Sequence, residues 1–174
     1  KYFYDSCYKF YYLKSLKRIK LFYLNSKKID QENIINNIKI PKLSKLLKKI
    51  NWVFISKGLP GRFHGDLHFE NILFNKKNKK FTFLDWRQDF ENNIKVGDIY
   101  YDLAKLMHGI IVSHEQVNNK KFKITWDKNI INFHIAQSNA HKLSLRYYEK
   151  WLKDNGYSLT KVRILTSLIF ILFI

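Results

Sequence analysis

Asp66, Asn71 and Asp85 are the residues of this 174-residue chain whose types and spacing best suit chemistry. Asp66 and Asn71 stand in a polar stretch that leads into Ile72-Leu73-Phe74, a short β-type run. A polar turn over 75–80 separates it from a second run, Phe81-Thr82-Phe83-Leu84, and Asp85 follows directly. Two such runs around a polar turn predict a hairpin. A hairpin brings its open ends together, so the three side chains should converge although Asp66 and Asp85 are 19 positions apart. Two carboxylates and an amide oxygen form a hard oxygen set, suited to a Mg²⁺ ion that keeps several waters and binds phosphates. A carboxylate beside such an ion can orient a hydroxyl and accept its proton as that hydroxyl attacks phosphorus.

The elements that must hold this hairpin read as mainly helical. Residues 2–24 carry aromatics near helical spacing, with Asp5 as candidate N-cap. The Asn-rich residues 25–40, with Ile29, Ile34, Ile35, Ile38 and Ile40, predict a weaker second helix or a loop. Pro41 marks a helix start, and Leu43, Leu46, Leu47, Ile50 and Phe54 follow the 3.6 period until Gly58, Pro60 and Gly61 break it. After Gly97, Asp98 can cap a helix whose apolar face is Ile99, Leu103, Leu106, Met107 and Ile110. A loop near Asn118 follows, and apolar residues recur at helical spacing from Ile130 to Leu152. Asn155-Gly156 is a helix stop, with a last helix from Ser158 or Thr160. The expected class is α+β, predominantly helical, with one small hairpin placed among the acids.

His64-Gly65-Asp66-Leu67-His68-Phe69-Glu70-Asn71 resembles the catalytic loop of the aminoglycoside phosphotransferase and choline kinase family, relatives of the protein kinases. Phe83-Leu84-Asp85-Trp86 resembles that family's second metal motif, where protein kinases have Asp-Phe-Gly. Gly97-Asp98-Ile99-Tyr100-Tyr101-Asp102-Leu103-Ala104 is similar to the family's Gly-Asp-x-x-x-Asp-Leu-Ala helix start. Three motifs in one order, densest over residues 62–107, are a specific signal where any one alone is weak. The run 85–90 (Asp-Trp-Arg-Gln-Asp-Phe), with His108 and Ser113-His114-Glu115, also looks like a subgroup linked to sugar-nucleotide and surface-polysaccharide enzymes.

The resemblance implies an ATP-dependent phosphotransferase, using ATP or another nucleoside triphosphate and Mg²⁺ to phosphorylate a hydroxyl of a small molecule such as a sugar, aminoglycoside or choline. It implies Asp66 as the catalytic base or hydroxyl-orienting carboxylate, with His64 bracing the loop. Asn71 and Asp85 would hold the metal against the nucleotide. Asp98 and Asp102 would give structural support, and His68 and Arg87 are candidate phosphate or substrate contacts. His108 and His114 have no metal-pair spacing, and no Cys ligands accompany them. Cys7 reads as a small core group.

Upstream of His64 there is no Gly-rich loop on strands and no strand lysine to hold phosphates. Residues 1–174 therefore read as the C-terminal lobe of a protein-kinase-like fold. The nucleotide lobe is expected elsewhere in the parent protein, with a fused nucleotidyltransferase as a further candidate. The apolar end at Ile174 reads as a truncated helix. The isolated chain is expected to be inactive or nearly so.

The formal charge is +18, from 32 Lys+Arg against 14 Asp+Glu, which raises a nucleic-acid-binding module as an alternative. Only 5 of the basic residues are Arg, and the Lys are spread along the chain, which disfavours that class. Seven of the acids fall between His64 and Asp102, so this window is locally near −1 while the remainder is about +19. A kinase-like scaffold without chemistry is the other alternative, and retention of Asp66, Asn71 and Asp85 together argues against it. The 46% hydrophobic and 17% aromatic content excludes a disordered chain, and a single cysteine excludes a disulfide scaffold. The apolar run 165–174 is about half the roughly 20 residues that span a bilayer, and a cytoplasmic location is expected.

Overall fold

The computed structural model describes residues 2–172. It is an α+β chain, about half helical, with three small sheets rather than the one hairpin expected. The N-terminal aromatic segment is a continuous helical rod in which α1 (Tyr2–Tyr8) passes through a π-helical turn (Lys9–Leu13) into α2 (Lys14–Ser26). Asp5 lies inside α1 and does not cap it. The wider turn aims two consecutive aromatics, Phe10 and Tyr11, into the core.

No helix forms over the Asn-rich stretch. It folds as a hairpin of β1 (Asn33–Ile35) and β2 (Ile38–Ile40), because Asn36 and Asn37 adopt left-handed φ values of 48° and 65°. Asparagine tolerates this pair of conformations, which two-residue hairpin turns require. The helix expected after Pro41 is two, α3 (Leu43–Lys49) and α4 (Trp52–Ser56), because Asn51 restarts the chain by accepting the Phe54 N–H.

Next come β3 (Pro60–Gly61), the hairpin of β4 (Ile72–Asn75) and β5 (Lys80–Phe83), and β6 (Gly97–Asp98), which pairs antiparallel with β3. Asp98 caps α5 (Ile99–Ile111), its side chain accepting the Tyr100 N–H. Ser113 caps the short α6 (His114–Asn118). The helix expected from Ile130 does not begin there: β7 (Phe122–Asp127) pairs antiparallel with β8 (Ile130–Ile135), which takes the first residues of that stretch. Here Phe122, Ile124 and Trp126 alternate with period two, and β8 gains a parallel neighbour in β1, giving the order β2-β1-β8-β7. Helix resumes as α7 (Asn139–Asp154), then α8 (Leu159–Leu172) after Gly156 at φ 76°.

The core gathers where α5 packs on α8 and where Phe10 of the π-helical turn meets Tyr101 of α5 edge-on at 4.9 Å, with Ala104, Met107, Leu165 and Ile169 also buried. Thr166 on α8 donates to the Ala104 carbonyl at 3.2 Å, and Tyr148 on α7 donates to that of Leu103 at 2.8 Å. Cys7 is fully buried, and burial first, then the nearby Asp98 carboxylate, pushes its thiol up to about 12. It is an inert core group. Among the described residues no helix is long and apolar enough to cross a membrane. Ile174 lies outside them, as does the side chain of His114.

Candidate functional site

Two carboxylates at the start of α5 fix the loop that enters the hairpin. Asp102 accepts the N–H groups of His64 at 2.5 Å and Gly65 at 2.7 Å, one on each oxygen. One turn earlier, Asp98 accepts the Tyr11 hydroxyl at 2.6 Å, the Leu59 N–H at 2.8 Å and the Tyr100 N–H at 3.1 Å. Asp98 thus ties the N-terminal rod, the segment before β3 and α5 to one point. Burial raises both carboxyls above the ordinary aspartate range, against the lowering effect of the bonds each accepts.

His64 is buried, and its Nδ1 accepts the Asp66 N–H at 3.2 Å, which places the ring proton on Nε2. That Nε2 has no hydrogen-bond partner among the described residues. The ring stacks on Trp86 at 4.9 Å and meets Phe83 edge-on at 6.2 Å. The His64 carbonyl accepts the Arg87 N–H at 2.8 Å, so the loop before the hairpin is bonded to the loop after it.

Asp66 points from this braced loop to a lysine that sequence reasoning missed. Lys105 Nζ lies 2.6 Å from Asp66 Oδ1, and the lysine is almost fully buried. His68 Nε2 is 3.5 Å from the other Asp66 oxygen, while its Nδ1 is 2.7 Å from Glu70. Partial burial alone would raise the Asp66 carboxyl, but the hydrogen bond and charge of Lys105, then the charges of His68 and Arg87, hold it below the ordinary range. The one signal in the sequence was a lysine within the buried run of α5, one turn after Asp102.

Asn71 is buried at the base of the hairpin. Its Nδ2 donates to the Asp66 carbonyl at 3.0 Å and lies 3.2 Å from His68 Nε2, leaving Oδ1 as the atom to present to a cation. Its backbone carbonyl accepts the Leu84 N–H at 2.9 Å, so Asn71 lies across the hairpin mouth from the residue before Asp85. Asp85 leaves β5 at φ 53°, a left-handed turn that aspartate accommodates, and its carboxylate is exposed.

Asp66 and Asp85 line one cleft of about 630 Å³, together with Lys14, Arg87, Asp89 and Glu91. Arg87 forms no ion pair with Asp89 among the described residues; its guanidinium lies 5.9 Å from the Tyr101 ring centre. Asp89 instead accepts the Asn92 N–H at 2.9 Å. His108 faces away from the cleft toward α8, its ring 4.3 Å from that of Phe170. The oxygen-only donors at the hairpin mouth suit a hard cation, and no three His, Cys, Asp or Glu side chains gather as a metal centre among the described residues.

Residues 38–121 match the model of the phosphotransferase enzyme family. That segment is a phosphotransferase-family segment. It contains every candidate residue from His64 to Asp102, and it agrees with the aminoglycoside phosphotransferase and choline kinase motifs quoted above. No curated protein and no solved structure matches the chain. The phosphotransferase segment ends before β7, so the four-stranded sheet combines β2 from inside the match with β7 and β8 from outside it.

Proposed function

We propose that this chain is the catalytic, acceptor-side lobe of a phosphotransferase that moves the γ-phosphoryl group of a Mg²⁺-bound nucleoside triphosphate to a hydroxyl of a small molecule. The observation that carries this reading is that Asp66 and Asp85, from opposite ends of the hairpin, line one cleft. Asn71 and Asp85 would hold a Mg²⁺ ion, which needs only one or two protein oxygens beside those of phosphates and water. When bound, the ion neutralises charge on the transferring group. The acceptor oxygen forms the new bond to phosphorus as the bond to the bridging oxygen of the nucleoside diphosphate breaks.

Asp66 accepts a hydrogen bond from the acceptor hydroxyl and takes its proton late. A carboxylate that Lys105 holds below the ordinary range is a weak base. Weak basicity suits a loose transition state, in which positioning contributes more than early deprotonation. Asp102 keeps the loop N–H groups of His64 and Gly65 fixed, so Asp66 cannot drift along the cleft.

The hairpin also leaves large apolar side chains in solvent, Leu73, Phe74 and Phe81 among them, with Phe81 60% exposed. Such a surface beside the metal residues fits a nucleotide-covering lobe of the parent protein, in a cytoplasmic setting. Without that lobe, positioning of the nucleotide falls severely, and the chain alone is expected to turn over little or no ATP.

The test joins the chain to its parent's nucleotide lobe and follows phosphoryl transfer by ³¹P NMR, with Mg²⁺-dependent nucleotide binding as a second readout. Asp66→Asn is expected to lower kcat by about 10²–10⁴ with nucleotide binding kept. Asp85→Asn should abolish the Mg²⁺ dependence of binding. Full rate in the Asp66→Asn variant overturns the assignment.

A further inference from the structure

Across the wall formed by Trp86 and Arg87, beside the cleft, lies a second pocket of about 330 Å³ lined by Arg62, Phe63, Trp86, Arg87, Ile94 and Lys95. Three of the six lining side chains are cations and none is an acid. None of the three is in an ion pair with a carboxylate among the described residues.

The backbone that carries each cation is fixed. Arg62 follows β3, whose Gly61 pairs with Gly97 of β6. Arg87 is fixed by its N–H bond to the His64 carbonyl, and it packs so closely on the loop that a Cβ at Gly65 would stand 2.5 Å from its own Cβ. Lys95 leaves a tight turn in which Phe90 and Asn93 bridge, and Asn93 Oδ1 accepts the Lys95 N–H at 3.0 Å and the Val96 N–H at 3.2 Å. The buried Phe63 ring lines the pocket beside Gly97, where a Cβ would meet it at 2.3 Å. Like charges gathered in a concavity with apolar walls repel one another, and an anion placed there offsets the repulsion through charge-assisted hydrogen bonds.

We propose that this pocket binds an anionic group of the acceptor, a phosphate or carboxylate, while the acceptor's hydroxyl reaches Asp66 past Arg87. The proposal rests on the phosphotransferase reading and deepens it by naming the acceptor class, a hydroxyl compound that already carries an acidic group. Arg87 lines both cavities, so one guanidinium serves the anion and the transferring phosphoryl group. Cationic acceptors such as choline or an aminoglycoside meet the wrong charge on this side. The acids on the cleft side, Asp89 and Glu91, share it with Lys14 and Arg87.

The test is calorimetric titration of the chain, without nucleotide or metal, with glucose 6-phosphate, glucose, inorganic phosphate and choline. Glucose 6-phosphate is expected to bind at least about tenfold more tightly than glucose or inorganic phosphate, with affinity falling as salt rises. The Arg62→Gln/Lys95→Gln double variant should lose that binding by about tenfold or more. Both side chains are exposed, so far-UV circular dichroism of the variant should match the unmodified chain. Lys95→Glu should weaken binding further. Four outcomes overturn the proposal: no anion binding, binding indifferent to the double variant, inorganic phosphate binding as tightly as the sugar phosphate (a site for free anions), or choline binding in preference. Failure of the phosphotransferase reading shows separately, as Mg²⁺-nucleotide binding that Asp85→Asn leaves unchanged.

Discussion

Lys105 Nζ and Asp66 Oδ1 lie 2.6 Å apart, a buried lysine on α5 against a partly exposed aspartate on the loop before the hairpin. Asp102, one turn before Lys105, holds the same loop by its backbone. Adjacent turns of one helix therefore set both the path of the loop and the charge state of its central carboxylate.

Replacing Lys105 by Met is expected to raise the Asp66 pKa, because burial then acts on the carboxyl without its main lowering partner. The sign follows from the depressed folded-state value. Asp66 contributes stability that is present above its unfolded pKa and is lost as pH falls through the folded one. A ¹³C-carboxyl NMR titration should show the Asp66 midpoint moving upward in Lys105→Met, with Lys105→Arg retaining most of the depression. An unchanged midpoint would show that Lys105 does not control the carboxylate.

Asp102→Ala should destabilise the fold by about 2–4 kcal/mol in urea denaturation, since two buried N–H groups lose their acceptor together. Asp102→Asn keeps one acceptor and turns an amide donor toward the other N–H, so it should recover little. Amide exchange at His64 and Gly65 should quicken in both variants.

Tyr11→Phe removes the 2.6 Å donor to the fully buried Asp98 and should cost about 1–3 kcal/mol at neutral pH. Asp98 titrates above the ordinary range, so its charged form is the one the fold disfavours, and its contribution to stability falls as pH rises from the unfolded pKa to the folded one. The Tyr11→Phe penalty should therefore shrink as pH drops below the folded pKa. A penalty that stays constant from about pH 7 down to about pH 3.5, the span over which a raised aspartate takes up its proton, would contradict this account.

Gly97→Ala places a Cβ 2.3 Å from the Phe63 ring, which is buried and cannot swing away. Overpacking of this kind costs about 1–3 kcal/mol. Phe63→Leu should relieve part of it, so a double-mutant cycle of the two should give a favourable coupling. Additive behaviour would show that the backbone, and not the ring, absorbs the new methyl.

The parts of the site that were legible in the sequence are those set by local chemistry. The turn over 75–80, flanked by β-type runs, became the hairpin of β4 and β5, and Asp98 became the cap of α5 because a carboxylate before an apolar periodic run satisfies helix N–H groups. Lys105 was opaque because its partner lies 39 positions earlier, and helix periodicity places a lysine on a face without saying what that face meets. The strand β8 lies where the spacing predicts helix, because isoleucine and phenylalanine suit either period. Parallel pairing of β8 with β1, about a hundred residues apart, tipped the balance through long-range contacts that no window contains. The Asn36-Asn37 turn was the readable signal there, since two left-handed asparagines favour a hairpin over a helix.

The wide turn over Lys9–Leu13 gives neighbouring residues separate duties: Phe10 lines the cleft of Asp66 and Asp85 while Tyr11 binds Asp98. A regular α-helix would rotate successive side chains by about 100° and shorten each turn. A π-helical turn holds one residue more than an α-helical one, so deleting a residue here would close the rod into regular α-helix with Tyr2–Tyr8, Cys7 included, near their present register. The cost would fall on the inward aromatics, since a regular turn cannot aim both Phe10 and Tyr11 inward, whereas a deletion within α2 would swing the preceding side chains by about 100°.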